Sequence, residues 1–349
     1  MATNIEDLKN YEKPKRKYTV IELFAGCGGN AIAYDKVGFE TLMLNEIDKD
    51  ACNTLKANKP DWNVVEDDIH NIFFKKYEGK VDVVAYSPPC QAFSTAGKQM
   101  GFADARGTLF FEAARCISEC KPKICIMENV KGLKNHDNGR TLSIMLKILD
   151  EIGYNVIEHR VMKAINYRVP QKRERLFVVA IRKDLNISYE YPKPYDFAYT
   201  LKDALKKGPL YDTDCPKSIF PPYKPFKHQV MELIKPGQHW NSLPEGIGRK
   251  YCGKVWGTSG STGMARRLDW NKPCYTLICS PSQKLTELCH PEETRPLSER
   301  EYARIQTFPD EWEFSGSMAS QYKQIGNAVP VNLAEEMAFS IIKALNQLE

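Results

Sequence analysis

Short apolar runs alternate with helical patterns over the first half of the chain. The runs are rich in branched residues and have the length of buried strands; they span residues 18–24, 40–44, 62–66, 81–85, 124–127, 156–166 and 176–182. Stretches with helical spacing lie between them, such as residues 48–58 and 141–152. Strands that alternate with helices favour a largely parallel sheet covered on both faces. The sequence therefore predicts an α/β, doubly wound sheet up to about residue 182.

The pattern changes after this region. Residues 189–296 are rich in Pro, Gly, Lys and aromatic residues without a sustained helical period, which predicts a smaller, loop-rich domain with short strands. Helical spacing returns at residues 297–306, where Ser298 and Glu301 form a capping-box pattern, and at residues 331–348. The predicted domains are 1–189, completed by 315–349, then 190–294, with 295–314 as a bridging segment.

A glycine turn follows the first predicted strand. Gly26 and Gly28 open a loose G-x-G-x-x-A pattern between a strand and a helix, and Glu46 ends the second strand. A carboxylate in that place can accept hydrogen bonds from ribose hydroxyls. Asp68 ends the third strand and could accept from an adenine amino group, with Ile69 against the ring, although an ordinary turn aspartate fits equally. The pattern predicts an adenosine-bearing cofactor and does not separate NAD from S-adenosylmethionine.

A stiff loop containing a cysteine follows the strand at residues 81–85. Pro88 and Pro89 fix two φ angles and remove two amide donors just before Cys90. Ligands of open α/β sheets bind where parallel strands end. Two interpretations remain open from the loop alone: Cys90 is a nucleophile, or it is a small buried residue, as most unpaired cysteines are.

Glu128 follows the apolar strand at residues 124–127. A charged carboxylate at the end of a buried strand is costly unless it is paired, so Glu128 should be partnered or functional.

Composition limits the class of protein. Hydrophobic residues make up 42% and charged residues 27% of the chain, as in globular proteins. No apolar run reaches the roughly 18 residues that span a bilayer, and the polar N-terminus lacks a signal core. We therefore predict a cytoplasmic protein without membrane contact. The 11 cysteines contain no C-x-x-C pair, which argues against a secreted disulfide framework and a strong zinc signature. The group that comes nearest to metal-ligand spacing and stays open as a zinc site is Cys274, Cys279, Cys289 and His290.

Positive charge is modest but unevenly distributed. The net charge of +5 permits nucleic-acid binding without requiring it. Basic residues concentrate at residues 160–183 and 217–275, and Arg266 and Arg267 follow a flexible polar segment at residues 253–263. This segment could enter a groove of a nucleic acid, or it could be a plain hairpin.

Taken in order, the motifs resemble those of the DNA (cytosine-5) methyltransferases of bacterial restriction-modification systems. The resemblance covers nearly the whole chain. It rests on Phe24-Ala25-Gly26-x-Gly28-Gly29, Ser87-Pro88-Pro89-Cys90-Gln91, Glu128-Asn129-Val130, Gln171-Lys172-Arg173-Glu174-Arg175, the segment from Arg300 to Asp310, and Gly326-Asn327-Ala328-Val329-Pro330.

The resemblance implies a Rossmann-like fold, a cofactor and a set of site residues. Cys90 would add to C6 of cytosine, Glu128 would hold N3, and Arg175 with Arg173 would fix the base oxygen and orient the site. S-adenosyl-L-methionine would donate the methyl group. The residues that match family contacts to this cofactor are Phe24, Gly26, Gly28, Glu46, Ile47, Asp68, Ile69, Leu109, Asn327 and Val329.

The resemblance also implies a substrate and partners. The target cytosine of double-stranded DNA would be flipped out of the helix, and residues 190–294 would recognise the site. The DNA contacts would come from Gln91, Ser94, Arg266, Arg267 and Thr276. The enzyme is expected to act as a monomer, with a possible cognate restriction endonuclease encoded separately. A transfer-RNA cytosine-5 methyltransferase and a non-catalytic DNA-binding homologue are the alternatives.

Overall fold

A computed structural model describes residues 11–88, 109–258, 263–281 and 283–349. The chain divides into two compact units. The first unit comprises Met1–Lys163, Glu174–Asp196 and Val331–Glu349, and the second comprises Ala164–Arg173 and Phe197–Pro330. Residues 315–330 thus belong to the second unit, and the functional division predicted above stays a prediction. Within the described ranges, no helix is long and apolar enough to cross a membrane.

The elements follow the predicted order. The strands are β1 (Thr19–Leu23), β2 (Glu40–Glu46), β3 (Val64–Glu66), β4 (Val83–Tyr86), β5 (Ile124–Val130), β6 (Tyr154–Val156), β7 (Arg160–Lys163), β8 (Gln171–Lys172), β9 (Glu174–Arg182) and β10 (Cys274–Tyr275). The helices are α1 (Gly29–Lys36), α2 (Lys49–Asn58), α3 (Leu109–Cys120), α4 (Arg140–Glu151), α5 (Leu201–Leu205), α6 (Pro225–Glu232), α7 (Glu245–Cys252), α8 (Glu299–Ile305), α9 (Met318–Asn327) and α10 (Val331–Leu345).

The first unit is built on one mixed sheet. Its strand order is β3-β2-β1-β4-β5-β9-β6, and β7 also pairs with β9. Strands β1 to β5 pair with one another in parallel, whereas β9 is antiparallel to β5, β6 and β7. The order reverses at β1, which lies between β2 and β4, and open α/β sheets bind ligands at such a switch point. The predicted doubly wound α/β fold is confirmed.

Side chains alternate between two covered faces of this sheet. Leu23, Tyr86, Met127 and Val178 lie in one row and pack in a core with α3 and α4. The opposite face carries the intervening residues and is covered by α1 and α10, which pack against each other. Both faces are therefore buried, as the apolar runs predicted.

The second unit consists, in its described part, of short helices separated by long segments without regular structure. Helices α6 and α7 pack around a small core with Leu243, Met264 and Cys289, and β8 pairs in parallel with β10. The capping box of Ser298 and Glu301 is present at the start of α8. The described part of residues 190–294 contains the two-residue strand β10 and several short helices that the sequence did not indicate. Tertiary packing can stabilise short helices that show no long sequence period.

Two predicted strands differ in extent. The run at residues 156–166 forms the end of β6, then β7, and finishes in a 3₁₀ turn at Ala164–Asn166. Strand β5 continues to Val130, so Glu128 lies within the strand and is held by its ladder.

Candidate active site

The turn after β1 depends on left-handed backbone angles. Gly26 has φ of 54° and Gly28 has φ of 95°, where it caps α1. A side chain on Gly26 would meet open space, so the backbone angle rather than crowding explains the glycine. Phe24, between β1 and this turn, also has a positive φ of 60°. Such strain in a bulky residue is typical of functional sites.

The Glu46 carboxylate connects this turn to the end of β2 through hydrogen bonds. One carboxylate oxygen accepts from the Gly26 amide at 2.7 Å, and the other accepts from the Ile47 and Asp48 amides at 2.9 Å each. A carboxylate offers about four lone-pair sites. The three amide bonds therefore leave Glu46 able to accept one further bond, such as that of a ribose hydroxyl.

The ends of β2 and β3 offer an apolar surface and an acceptor. The Ile47 side chain is 67% exposed, and Asp68 is half-exposed. The His70 backbone amide donates to Asp68 and is the main cause that holds the pKa of this carboxyl below its ordinary value. Ile69, by contrast, is buried in the core, so Ile47 supplies the accessible apolar surface. This set of groups fits an adenosine moiety.

Three further predicted cofactor residues belong to other elements. Leu109 begins α3 and is partly buried against the core of the first unit. Asn327 and Val329 belong to the second unit. The Asn327 side-chain oxygen accepts from the thiol of Cys279 at 2.9 Å, and Val329 is buried.

The end of β5 carries an ion pair. The Nε atom of Arg175, on β9, lies 2.9 Å from Oε1 of Glu128. Both side chains are largely buried, which makes the pair geometrically well defined. Among the described residues, no hydrogen bond reaches the other carboxyl oxygen, Oε2. The first unit therefore brings Glu128 and Arg175 together, as the motifs predicted.

Asn129 is a site residue to which the sequence assigned no role. Its side-chain amide donates to the Pro88 carbonyl at 2.9 Å, and its side-chain oxygen accepts from the Val130 amide at 2.8 Å. Asn129 thus ties the start of the cysteine loop to the strand that carries Glu128. In the sequence, the signal for this role was the position of an amide side chain directly after a glutamate in a buried strand. Cys90 itself, with Gln91 and Ser94, lies outside the described residues.

Arg173 lies among backbone carbonyls of the second unit. It is 1% exposed, and its guanidinium donates to the carbonyls of Leu277, Gly326 and Ala328 at 2.8–3.0 Å. Arg173 therefore holds the backbone on both sides of Asn327. Its predicted contact with the base oxygen stays a prediction.

Arg267 is also structural. Its side chain is 6% exposed, and all five N–H groups are used by the carbonyls of Met231, Ile234, His290 and Glu293 and by the hydroxyl of Thr294. Two of these carbonyls, those of Met231 and Ile234, lie at the C-terminal end of α6, where a positive charge is favourable. All five donors are thus used within the protein, and the predicted DNA contact of Arg267 stays a prediction.

Arg266, the preceding residue, lies in a different environment. Its guanidinium stacks 4.1 Å from the ring centroid of Tyr275, and the Lys172 ammonium lies 5.4 Å from the same centroid. Lys172 and Tyr275 are exposed and are paired in register between β8 and β10. The hydroxyl of Thr276 donates to the Lys172 carbonyl. This cationic cluster of Arg266, Tyr275 and Lys172 suits phosphate groups.

The described residues contain no group of His, Cys, Asp and Glu side chains that could hold a metal ion. Nδ1 of His290 accepts hydrogen bonds from the backbone amides of Glu292 and Glu293. Cys274 and Cys289 are buried in the second unit.

Known proteins are similar to this chain over nearly its whole length. The model of the C-5 cytosine-specific DNA methylase family matches residues 18–343. The chain is 52% identical to the type II methyltransferase M.Eco47II of Escherichia coli over 98% of this chain and 87% of that protein. It is 54% identical to the type II methyltransferase M.PspPI of Psychrobacter sp. (strain TA137) over 96% and 81%.

A solved structure supports the fold. A prophage-encoded E. coli protein assigned as a DNA modification methyltransferase superimposes with a TM-score of 0.68 at 24% identity, covering 95% of this chain and 100% of that one. The match of a family model to nearly the whole chain, together with relatives above 50% identity, identifies the chain as a member of the C-5 cytosine-specific DNA methylase family.

Proposed function

We propose that this DNA (cytosine-5-)-methyltransferase uses Cys90 as its nucleophile and Glu128 as the acid at the N3 edge of the target cytosine. The observation that carries the proposal is the Glu128–Arg175 pair at the end of β5. Asn129 supports it by tying Pro88, two residues before Cys90, to the same strand. S-adenosyl-L-methionine is the methyl donor of this enzyme, and the strand ends around Glu46 and Asp68 fit its adenosine.

The residues divide the chemistry between them. C5 of cytosine is a weak nucleophile, so the Cys90 thiolate first forms a bond to C6 and moves an electron pair toward C5. Glu128 gives a proton to N3 and thereby neutralises the charge that develops on the ring. Arg175 holds the Glu128 carboxyl in place. After C5 takes the methyl group, the C5 proton passes to water or another base, the carbon–sulfur bond breaks and returns the thiolate to Cys90, and N3 returns its added proton to Glu128.

The substrate is duplex DNA, from which the cytosine is flipped at a cost of a few kcal/mol. Residues 190–294 act as the target-recognition region, with Arg266, Lys172 and Thr276 near the phosphates and Gln91 and Ser94 close to the base. The enzyme works as a monomer in the bacterial cytoplasm, within a restriction-modification system that can include a separate endonuclease. The type II methyltransferases among its relatives favour DNA over transfer RNA.

Glu128→Gln is expected to lower kcat by about 10²- to 10³-fold, because an amide can donate to N3 but cannot transfer a proton to it. Binding of the cofactor should change little, since Glu128 lies away from Glu46 and Asp68. Transfer of labelled methyl groups to duplex DNA measures the effect.

Glu174→Gln is the matched control. Glu174 neighbours Arg175 but points to Lys131 at 2.9 Å and is half-exposed, so its amide variant should keep kcat within about twofold, as for other surface changes. Equal losses in the two variants would contradict the role of Glu128.

Arg266→Gln combined with Lys172→Gln is expected to weaken DNA binding in a salt-dependent way. The slope of log K against log salt is negative, and each lost phosphate contact reduces its magnitude by about 1. Binding of labelled duplex DNA between low and moderate salt gives the slope. Lys343→Gln, which removes a lysine paired with Glu190 in the first unit, should leave the slope unchanged. An unaltered slope in the double variant would exclude this cluster from the DNA surface.

A further inference from the structure

The turn after β3 is held on both sides of Asp68. Before it, the buried Asn45 side chain at the end of β2 donates to the Asp67 carbonyl at 2.9 Å. After it, Arg115 of α3 donates to the Ile69 carbonyl at 2.9 Å, and Ile69 itself is buried in the core of the first unit. The backbone around Asp68 is therefore fixed, and the side chain is the part of this residue that still has rotational freedom.

His70 restricts that side chain. Its backbone amide donates to Oδ1 of Asp68 at 3.0 Å, and its ring nitrogen Nδ1 donates to the same oxygen at 2.5 Å. The backbone bond alone would cap the turn, so the ring adds a second, charge-assisted bond to an oxygen that is already held. Within the described part of the chain, no hydrogen bond reaches Oδ2. His70 thus holds one oxygen of Asp68 and leaves the other available.

The neighbouring aspartate has a different role. Oδ1 of Asp67 accepts from the Asp68 backbone amide at 2.7 Å and from the Asn71 side chain at 2.8 Å, so Asp67 serves the turn itself. Strands β2 and β3 are paired in register up to their last residues, which places the exposed Ile47 and the half-exposed Asp68 at neighbouring strand ends. The apolar surface and the acceptor that suit an adenine ring are therefore adjacent in the fold.

We propose that His70 is a specificity-determining residue of the cofactor site: it holds Asp68 so that Oδ2 accepts from the 6-amino group of adenine and selects against a 6-oxo purine. The inference rests on the adenosine site proposed above. An ionised carboxylate can only accept hydrogen bonds. The 6-amino group donates, whereas a 6-oxo group would set two acceptors against each other and leave both unpaired.

The electrostatics of Asp68 support this selection. The hydrogen bonds from the His70 backbone amide and from its ring are the two leading causes that hold the pKa of Asp68 below its ordinary value. Asp68 is therefore ionised at neutral pH and cannot donate to a 6-oxo group. Because His70 acts through Asp68 and not on the ligand itself, it is a positioning residue.

The ratio of two affinities tests the proposal. S-adenosylhomocysteine and S-inosylhomocysteine differ at the purine edge that carries the amino or the oxo group, and calorimetry measures the binding of each without turnover. The wild-type enzyme should prefer the adenosyl compound by at least about tenfold. His70→Ala keeps the backbone bond but removes the ring, so it should weaken binding of the adenosyl compound about two- to fivefold, as for a half-exposed ion pair, and leave binding of the inosyl compound unchanged. Equal losses for both compounds, or no loss for either, would overturn the proposal.

Two variants serve as controls. His70→Asn should restore most of the wild-type ratio, because its side-chain amide nitrogen can donate from a position close to that of Nδ1. His228→Ala removes an equally exposed histidine, which lies 3.6 Å from Glu232 in the second unit. It should leave both affinities unchanged, because it keeps the turn that holds Asp68.

Asp68→Asn separates this inference from the function on which it rests. An amide can turn its nitrogen toward a 6-oxo group, so the preference for the adenosyl compound should largely disappear, and adding His70→Ala should cause no further change in the ratio. Unchanged affinities in Asp68→Asn would refute the adenosine site at Asp68. A lowered preference in Asp68→Asn together with the wild-type ratio in His70→Ala would overturn only the role of His70.

Discussion

Cys90→Ser is expected to abolish methyl transfer to duplex DNA, with a loss of at least about 10⁴-fold in kcat. A free thiol ionises near pH 8.5, so a useful fraction is thiolate at neutral pH, and its pKa falls further next to positive charge. A serine hydroxyl hardly ionises and would need a dedicated base to become a nucleophile. Without the bond to C6, the cytosine ring cannot attack the methyl donor.

Two measurements check this result. Incorporation of labelled methyl groups reports turnover, and duplex DNA that contains 5-fluorocytosine should trap the wild-type enzyme as a covalent complex stable to denaturation but should not trap Cys90→Ser. Cys215→Ser is the control, because Cys215 is partly exposed in the second unit and its thiol points to the Pro216 carbonyl. Wild-type transfer by Cys90→Ser would refute covalent catalysis through this residue.

The sheet of the first unit was largely predictable because its signal is local. Parallel strands buried on both faces, such as β1 and β4, read as continuous apolar runs, and the Asp48 cap marks the start of α2. The antiparallel pairing of β9 with β5 was not predictable in this way. Strand pairing joins residues far apart in sequence, and an apolar run carries no information about the direction of its neighbour.

The positions of candidate site residues were predictable where they follow from the apolar runs, as for Glu46 and Glu128, while their roles stay predictions. Arg266 and Arg267 show the limit. They are adjacent and equally basic, yet one stacks on an exposed tyrosine and the other is buried under the end of α6. The sequence did not indicate α6, so the carbonyls that Arg267 satisfies could not be foreseen. Charge alone therefore did not separate a surface contact from a structural one.

Arg267→Met is expected to destabilise the second unit by at least about 4 kcal/mol, because five hydrogen bonds from a charged donor are lost and each contributes about 1.5–3 kcal/mol. Methionine keeps the apolar stem of the side chain but removes all five donors, including those to the Met231 and Ile234 carbonyls at the end of α6. The charge of Arg267 is balanced by these dipoles. Urea titration followed by tryptophan fluorescence reports mainly on this unit, which contains Trp240, Trp256, Trp270 and Trp312.

Arg266→Met separates this structural role from DNA binding. Its loss of a partly exposed stacking contact with Tyr275 should cost only about 0.5–1 kcal/mol, while DNA affinity falls. Arg267→Lys should lie between the two in stability, since an ammonium has three donors for five acceptors. If Arg267→Met kept the wild-type urea midpoint and instead reduced the salt slope of DNA binding, the five buried hydrogen bonds would not govern stability, and Arg267 would return to the DNA surface.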